Sequence, residues 1–229
     1  VVLNSPMNPS GKVFTEAELG AIAALLRQHD ALAVCDEVYE HLVWDGARHV
    51  PLMTLPGMRD RCVRIGSAGK TFSLTGWKVG YVTAAPALLA PIAKAHQLTT
   101  FTTPPALQHA VALGLALPDA YFAELASSMS RSRDRLRAGL ERLGLPVLPA
   151  RGTYFLVVDA AAWMRPDEDD AAFARRLVID AGVVTIPMSA FYGQGAPRTL
   201  LRFCFCKVDT TIDAALERLT AWRARVATP

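Results

Sequence analysis

No apolar run in this 229-residue sequence approaches the roughly 18 residues that a membrane-spanning helix needs, and nothing in it reads as a signal peptide. Neither sign of charge is in excess: 24 Lys and Arg stand against 21 Asp and Glu, a formal net charge of +3. With no basic stripe interleaved with aromatics, that balance argues against a nucleic-acid partner, and the missing apolar run argues against a membrane one. Arg131, Arg133, Arg135 and Arg137 alternate, but helical spacing spreads them around the cylinder, and they read as a solvated helix face. Cysteine is sparse. Cys204 and Cys206 share one face of a strand, and no further Cys or His pair joins them or Cys35 and Cys62 in a zinc pattern. No metal is expected, and all four read as buried free thiols in a reducing cytoplasm. Glycine is missing where a nucleotide loop requires it: Gly69-Lys70-Thr71 needs a glycine five positions before Gly69, and Arg64 stands there. Methionine is missing at the start. Val1 to Pro6 open as if in mid-strand, so the expectation is an N-terminally truncated fragment.

What is present is globular. Hydrophobic residues make up 52% and charged residues 20%, in a chain long enough for one large domain or two smaller ones. Val1–Leu3 reads as a strand end. Thr15 and Glu18 form a capping box, after which Leu19, Ile22, Ala23 and Leu26 follow helical spacing. Ala31–Asp36 reads as a buried parallel strand, and strands are expected at residues 62–67 and 78–84, around Lys70. Helical patterns follow at Pro86–Gln97, Pro105–Leu117 and Ala120–Leu143. Then the rhythm changes: strand Gly152–Asp159, helix Asp169–Ala181, strands at 183–188 and 200–205, and a closing helix Thr210–Val226. The fold class is α/β, with a domain change inside the long helix near Leu125. Residues 1–125 read as the remainder of a large α/β sheet domain and 126–229 as a smaller α/β domain.

In open α/β sheets ligands collect at the carboxyl ends of strands. Polar residues stand at such ends here: the turn Asn4–Gly11 after the first strand, Asp36 with Tyr39 after the second, and Lys70 after the third. Arg202 lies in the last apolar strand. Each has a plainer reading by itself. Asn8 can simply form a turn, Asp36 cap the residues that follow it, Tyr39 pack, and Arg202 pair with an acid. Together they match the needs of pyridoxal phosphate. That cofactor takes a lysine amine for a Schiff base, a carboxylate at its ring nitrogen, donors near its 3-oxygen and a clamp on its phosphate. An amino-acid substrate adds the need for an arginine fork.

The segments NSPMNPSG (Asn4–Gly11), DEVYEHLVWDG (Asp36–Gly46), SAGKTFSLTGWKVGY (Ser67–Tyr81), IPMSAFYG (Ile186–Gly193) and LLRFCFCK (Leu200–Lys207) occur in this order. In that order they resemble the class I/II, fold-type I, pyridoxal-phosphate-dependent aminotransferases. They are most like the group of kynurenine, glutamine (K-type), methionine and N-succinyldiaminopimelate aminotransferases. The resemblance covers essentially the whole chain. It implies that residues 1–125 are the C-terminal part of the large cofactor-binding domain, and that the activity is amino transfer between an amino acid and a 2-oxo acid. Lys70 would form the internal aldimine and carry the substrate's α-proton. Asp36 would pair with the pyridinium nitrogen, and Asn8 and Tyr39 would hydrogen-bond the 3-oxygen. Ser67 and Lys78 would hold the phosphate, with lysine where the family often has arginine. Arg202 would bind the substrate α-carboxylate beside Asn8. Tyr154 reads either as a border of the substrate pocket or as a core aromatic. The resemblance also implies a homodimer, with Thr99–Pro105 resembling the stretch that reaches toward the partner. Cysteine-conjugate C–S β-elimination is an alternative on the same fold, and the aminotransferase-like domain of a transcription regulator is another.

Overall fold

In a computed structural model, which describes residues 1–227, the chain forms two compact units. One comprises Val1–Met7 and Lys12–Ala126; the other comprises Asn8–Gly11 and the chain from Ser127 onward. The last two residues of the expected second domain lie outside the described residues. This division differs from the expected one in giving Asn8–Gly11 to the second unit. The reason is visible at Gly11, whose carbonyl accepts from Arg151 N (2.9 Å) and Gly152 N (3.0 Å). Gly11 has φ +70°, and a Cβ there would lie 2.6 Å from Ala150 Cβ, so only glycine fits.

The first unit is built on a four-stranded sheet in the order β1 (Val2–Asn4), β2 (Ala33–Asp36), β3 (Cys62–Ser67), β4 (Gly80–Ala84). The first three strands are parallel, and β4 runs antiparallel to β3. Helix α1 (Glu16–Gln28) starts at the expected capping box: Thr15 Oγ1 accepts from Glu18 N, and Glu18 Oε2 accepts from Thr15 N at 2.8 Å. Lys12 donates to Glu18 and, with those cap bonds, lowers its carboxyl to about 2. The other face of α1 carries Leu19, Ala23 and Leu26, spaced to project together onto Leu3, Ala33, Cys35 and Cys62 of the sheet. Leu19 and Leu26 are almost wholly buried, and each contributes about 1.5–3 kcal/mol by leaving water. Cys35 and Cys62 touch within this core, and their mutual hydrogen bond together with burial pushes the Cys35 thiol up. The remaining helices of this unit are the single turn α2 (Ala68–Thr71), α3 (Pro86–Thr99) and α4 (Pro105–Leu115).

Helix α5 (Asp119–Arg142) crosses the division between the units. Its buried residues, Ser132, Arg133, Leu136, Gly139 and Leu140, follow helical spacing. The expected solvated arginine face is therefore corrected at Arg133, which is only 4% exposed. Arginines two apart do spread around a helix, and for that reason one of them falls on the inward side. Arg135 does face outward, where it forms a two-pronged pair with Asp213 at 2.7 Å.

The second unit holds an antiparallel three-stranded sheet, β5 (Phe155–Asp159), β7 (Leu200–Cys204) and β6 (Ile186–Pro187), with β7 in the middle. The expected strand at 183–188 shrinks to two residues, since Val184 is 72% exposed and finds no ladder partner. Helix α6 (Asp170–Arg176) ends sooner than expected and continues as a π-helical turn, Leu177–Ala181, closed by Gly182 at φ +67°. Helix α7 (Asp209–Ala227) closes the chain, and Gly139 lets α5 approach Leu216 of α7 where a Cβ would meet it at 2.3 Å. Cys204 is exposed and Cys206 half-buried, which corrects the expectation of four buried thiols; Cys35 and Cys62 are buried.

Packing at Gly66 gives a first testable consequence. A Cβ on Gly66 would lie 2.1 Å from Tyr81 Cε2, and the Tyr81 hydroxyl is tied to Glu40 at 2.9 Å, so the ring has little freedom to retreat. Gly66→Ala is expected to destabilise the full-length gene product by about 1–3 kcal/mol, in the range of other overpacked sites. Denaturant titration measures it, and an unchanged midpoint would show that Tyr81 moves freely.

Candidate active site

The three parallel strands end in polar residues along one sheet edge. The register pairs Asn4 with Asp36 and Asp36 with Ile65, and β3 runs two residues further to Ser67. Asn4 Nδ2 and Ser5 N both donate to the Asp36 carbonyl, at 2.9 and 3.1 Å, which fixes the Asp36 backbone at this edge. The Asp36 carboxylate accepts weakly from Val38 N at 3.4 Å. Residues 37–43 are not the short helix that Asp36 could have capped. Residues 38–41 form turns, with Glu40 N donating to Glu37 O and Leu42 N to Tyr39 O. Tyr39 sits in these turns, 4% exposed.

Lys70 lies in α2, immediately after β3. It lines a cavity of about 300 Å³ together with Ser67, Gly69, Thr75, Lys78, Val79 and Gly80. Its Nζ is 5.8 Å from the centre of the Tyr39 ring. Glycine keeps the cavity open: a Cβ on Gly69 would lie 2.9 Å from Thr75 Cα. Thr75 Oγ1 donates to Gly69 O at 3.0 Å, and Ala68 N donates to Val79 O at 3.2 Å, so both walls are pinned by hydrogen bonds. Lys78 adopts a left-handed conformation, φ +56°, at the end of the 3₁₀ turn Thr75–Trp77. On the far side of α2, Tyr121 donates to Thr71 O at 3.2 Å. There the Phe72 ring packs among Tyr121, Phe122 and Gly114. The sequence reading missed Thr75 and Tyr121. Thr75 lies within Ser67–Tyr81 and is legible there, whereas Tyr121 becomes a neighbour only through the tertiary fold.

A second group of polar residues, also missed, surrounds the Tyr39 turn. Arg64 Nε donates to Glu37 Oε2 at 2.6 Å and Arg64 Nη2 to Glu40 Oε2. His49 Nε2 meets Glu37 Oε2 at 3.0 Å. Burial pushes the Tyr81 phenol up, with Arg64 opposing, and pushes the His41 imidazole down.

The second unit brings Asn8 and Arg202 together. Arg202 Nη1 donates to Asn8 Oδ1 at 2.5 Å, across 194 residues of sequence. The guanidinium lies over the Phe155 ring, 3.9 Å from its centre, with Phe191 at 5.1 Å. Tyr154 is half-buried with its ring edge-on to Phe155 at 4.6 Å.

One cavity thus holds two lysine side chains and two hydroxyl side chains beside a buried tyrosine. This is a donor set suited to an anion such as a phosphate and to a reactive aldehyde, so the residues present fit pyridoxal phosphate. Comparison with known proteins points the same way. The chain is 38% identical over 246 residues to human kynurenine–oxoglutarate transaminase 1, spanning 99% of this chain and 58% of that protein. The solved structure of N-succinyldiaminopimelate aminotransferase from Mycobacterium tuberculosis superposes with a TM-score of 0.92 at 41% identity, covering 96% of this chain and 57% of that one. Escherichia coli YbdL, for which a methionine aminotransferase function is identified, superposes at 0.90 and 37% identity, again covering 96% and 57%. The chain therefore spans somewhat under three-fifths of the length of these relatives. Residues 1–219 match the family model for aminotransferases of class I and II, and the chain belongs to that family.

Proposed function

We propose that the full-length gene product transfers an amino group from an amino acid to a 2-oxo acid with pyridoxal phosphate as cofactor. The observation that carries this reading is the cavity shared by Lys70, Ser67 and Lys78 at the carboxyl edge of the parallel strands. When bound, the cofactor supplies an aldehyde that captures amines and a ring that withdraws electrons from the substrate's α-carbon. The Lys70 amine would hold the cofactor and would take and return the substrate's α-proton. The Asp36 carboxylate would keep the ring nitrogen protonated. Tyr39 and Asn8 donate to the 3-oxygen. The Lys78 ammonium and the Ser67 hydroxyl hold the phosphate. Arg202 takes the substrate carboxylate, and Tyr154 borders the substrate. A homodimer in the cytoplasm is the setting we assign, on the family resemblance.

The test is a donor and acceptor screen on the full-length gene product, with cofactor absorbance read in each half-reaction. Absorbance that no amino acid changes would overturn the proposal. Asp36→Asn probes the electron-sink role separately. The cofactor should stay bound, while α-proton removal, read by stopped flow, should slow by about 10²–10⁴-fold as the ring nitrogen loses its proton. Unchanged rates would leave Asp36 with only its backbone partner, Val38.

A further inference from the structure

We propose that Arg64 is a positioning residue that sets the place of the Tyr39 hydroxyl in the cofactor site; the inference rests on the pyridoxal-phosphate reading above. Tyr39 stands in a turn outside any helix or strand, where Glu40 N donates to Glu37 O and Leu42 N to Tyr39 O. The two acids that flank it, Glu37 and Glu40, both end on one guanidinium. Arg64 Nε reaches Glu37 at 2.6 Å, and Arg64 Nη2 reaches Glu40. Arg64 lies on β3, three residues before Ser67 and six before Lys70. One side chain therefore ties the turn that carries Tyr39 to the strand that carries the lysine loop.

Burial gives the tie its strength. The Glu37 side chain is 3% exposed, Glu40 13% and Arg64 18%, so water and salt screen these charges weakly. Without the guanidinium, two carboxylates three residues apart in one turn would repel, and Glu37 would keep His49 as its remaining side-chain contact. A fork is required, because two acids are held from different nitrogens; an ammonium at the end of a flexible stem does not reproduce that geometry. Tyr81 extends the tie, since its hydroxyl donates to Glu40 at 2.9 Å while its ring lies against Gly66 on β3. His41 and Asp119 line the adjoining cavity with Glu40, Arg64 and Tyr81, and His49 and the Cys35 and Cys62 thiols lie beside Glu37, so these are the further titrating groups around the cluster.

The experiment uses the full-length gene product loaded with pyridoxal phosphate, with Tyr39→Phe as reference. Tyr39→Phe removes a donor to the 3-oxygen and should move the pH midpoint of cofactor absorbance upward. Arg64→Gln should move it in the same direction. It should also lower kcat by about 10- to 100-fold, as a small misplacement does, with KM for the amino acid within about twofold. Arg64→Lys should fall between it and wild type. Amide exchange over residues 37–42 in the cofactor-free protein should quicken in step. Glu40→Gln weakens the Arg64 and Tyr81 contacts made to that one side chain, Tyr81→Phe removes the second of them, and both leave the buried Glu37 pair intact. They should shift the midpoint less but in the same direction, and they decide the matter if Arg64→Gln does not fold. Variants that melt earlier yet keep the wild-type midpoint would overturn the proposal by making Arg64 merely structural. A wild-type protein with no titrating cofactor absorbance would instead overturn the reading on which it rests.

Discussion

Lys70→Ala is expected to abolish covalent attachment of pyridoxal phosphate and to lower turnover by about 10⁴-fold or more, because anchor and proton carrier are lost together. The surroundings of Lys70 support so large an effect. The α2 turn that carries it is held by Phe72 N donating to Ala68 O at 2.9 Å and by Tyr121 Oη donating to Thr71 O at 3.2 Å. The side chain starts from a fixed point and lies beside the Tyr39 ring. The substitution removes a half-buried, flexible chain from the rim of a cavity, so the melting temperature of the cofactor-free protein should change little. These 229 residues hold four other lysines, Lys12, Lys78, Lys94 and Lys207, each of which peptide mapping tells apart from Lys70. Borohydride reduction of the loaded wild-type protein followed by peptide mapping should mark Lys70 alone. A mark on Lys78, which lines the same cavity, would exchange the proposed roles of anchor and phosphate holder. A mark on any of the other three would remove the cavity from the chemistry altogether.

How far these features can be read in advance depends on how local their causes are. The capping box at Thr15 and Glu18 needs four consecutive residues, and the structure forms both of its hydrogen bonds. The polar ends of β1, β2 and β3 are legible for a similar reason: a buried parallel strand is an apolar run, and its end shows where the run stops. Lys70 is legible because it follows such an end. The cluster around Arg64 is not. Arg64 is 24 and 27 residues from its two acids, and only the pairing of β2 with β3 brings them together. Arg133 differs for the opposite reason: its helical position is legible in the sequence, but a charged side chain is not thereby an exposed one. The strand expected at 183–188 shows that an apolar run does not by itself form a ladder: only Ile186 and Pro187 find partners on β7. The bond between Asn8 and Arg202 spans nearly the whole chain; the family resemblance placed both residues at the substrate, while no local pattern joins them.

Arg202→Leu is expected to lower kcat/KM for an amino acid by about 10²- to 10⁴-fold while leaving the same amine without its carboxylate unaffected. The proposed carboxylate would accept two charge-assisted hydrogen bonds from the guanidinium, worth about 1.5–3 kcal/mol each. Their loss gives a discrimination of that size. Arg202 is well placed for it. It lies on β7, the middle strand, where Val157 and Ile186 face it from either side, so its backbone is fixed by both neighbours. Stacking on Phe155 orients the guanidinium plane, and the bond to Asn8 Oδ1 occupies one of its five N–H groups. A leucine keeps the apolar contact with Phe155, which limits the cost in folding. Arg202→Lys provides the control: it retains charge without the fork and should recover only part of the loss. Melting temperature, cofactor binding and kcat/KM with both substrates measure the three roles open to this residue. A lower melting temperature with equal losses on both substrates would make Arg202 a structural partner of Asn8. Weakened cofactor binding would move its role from substrate to cofactor. Intact folding and cofactor binding, with the loss confined to the substrate that carries a carboxylate, is the result that the fork geometry requires.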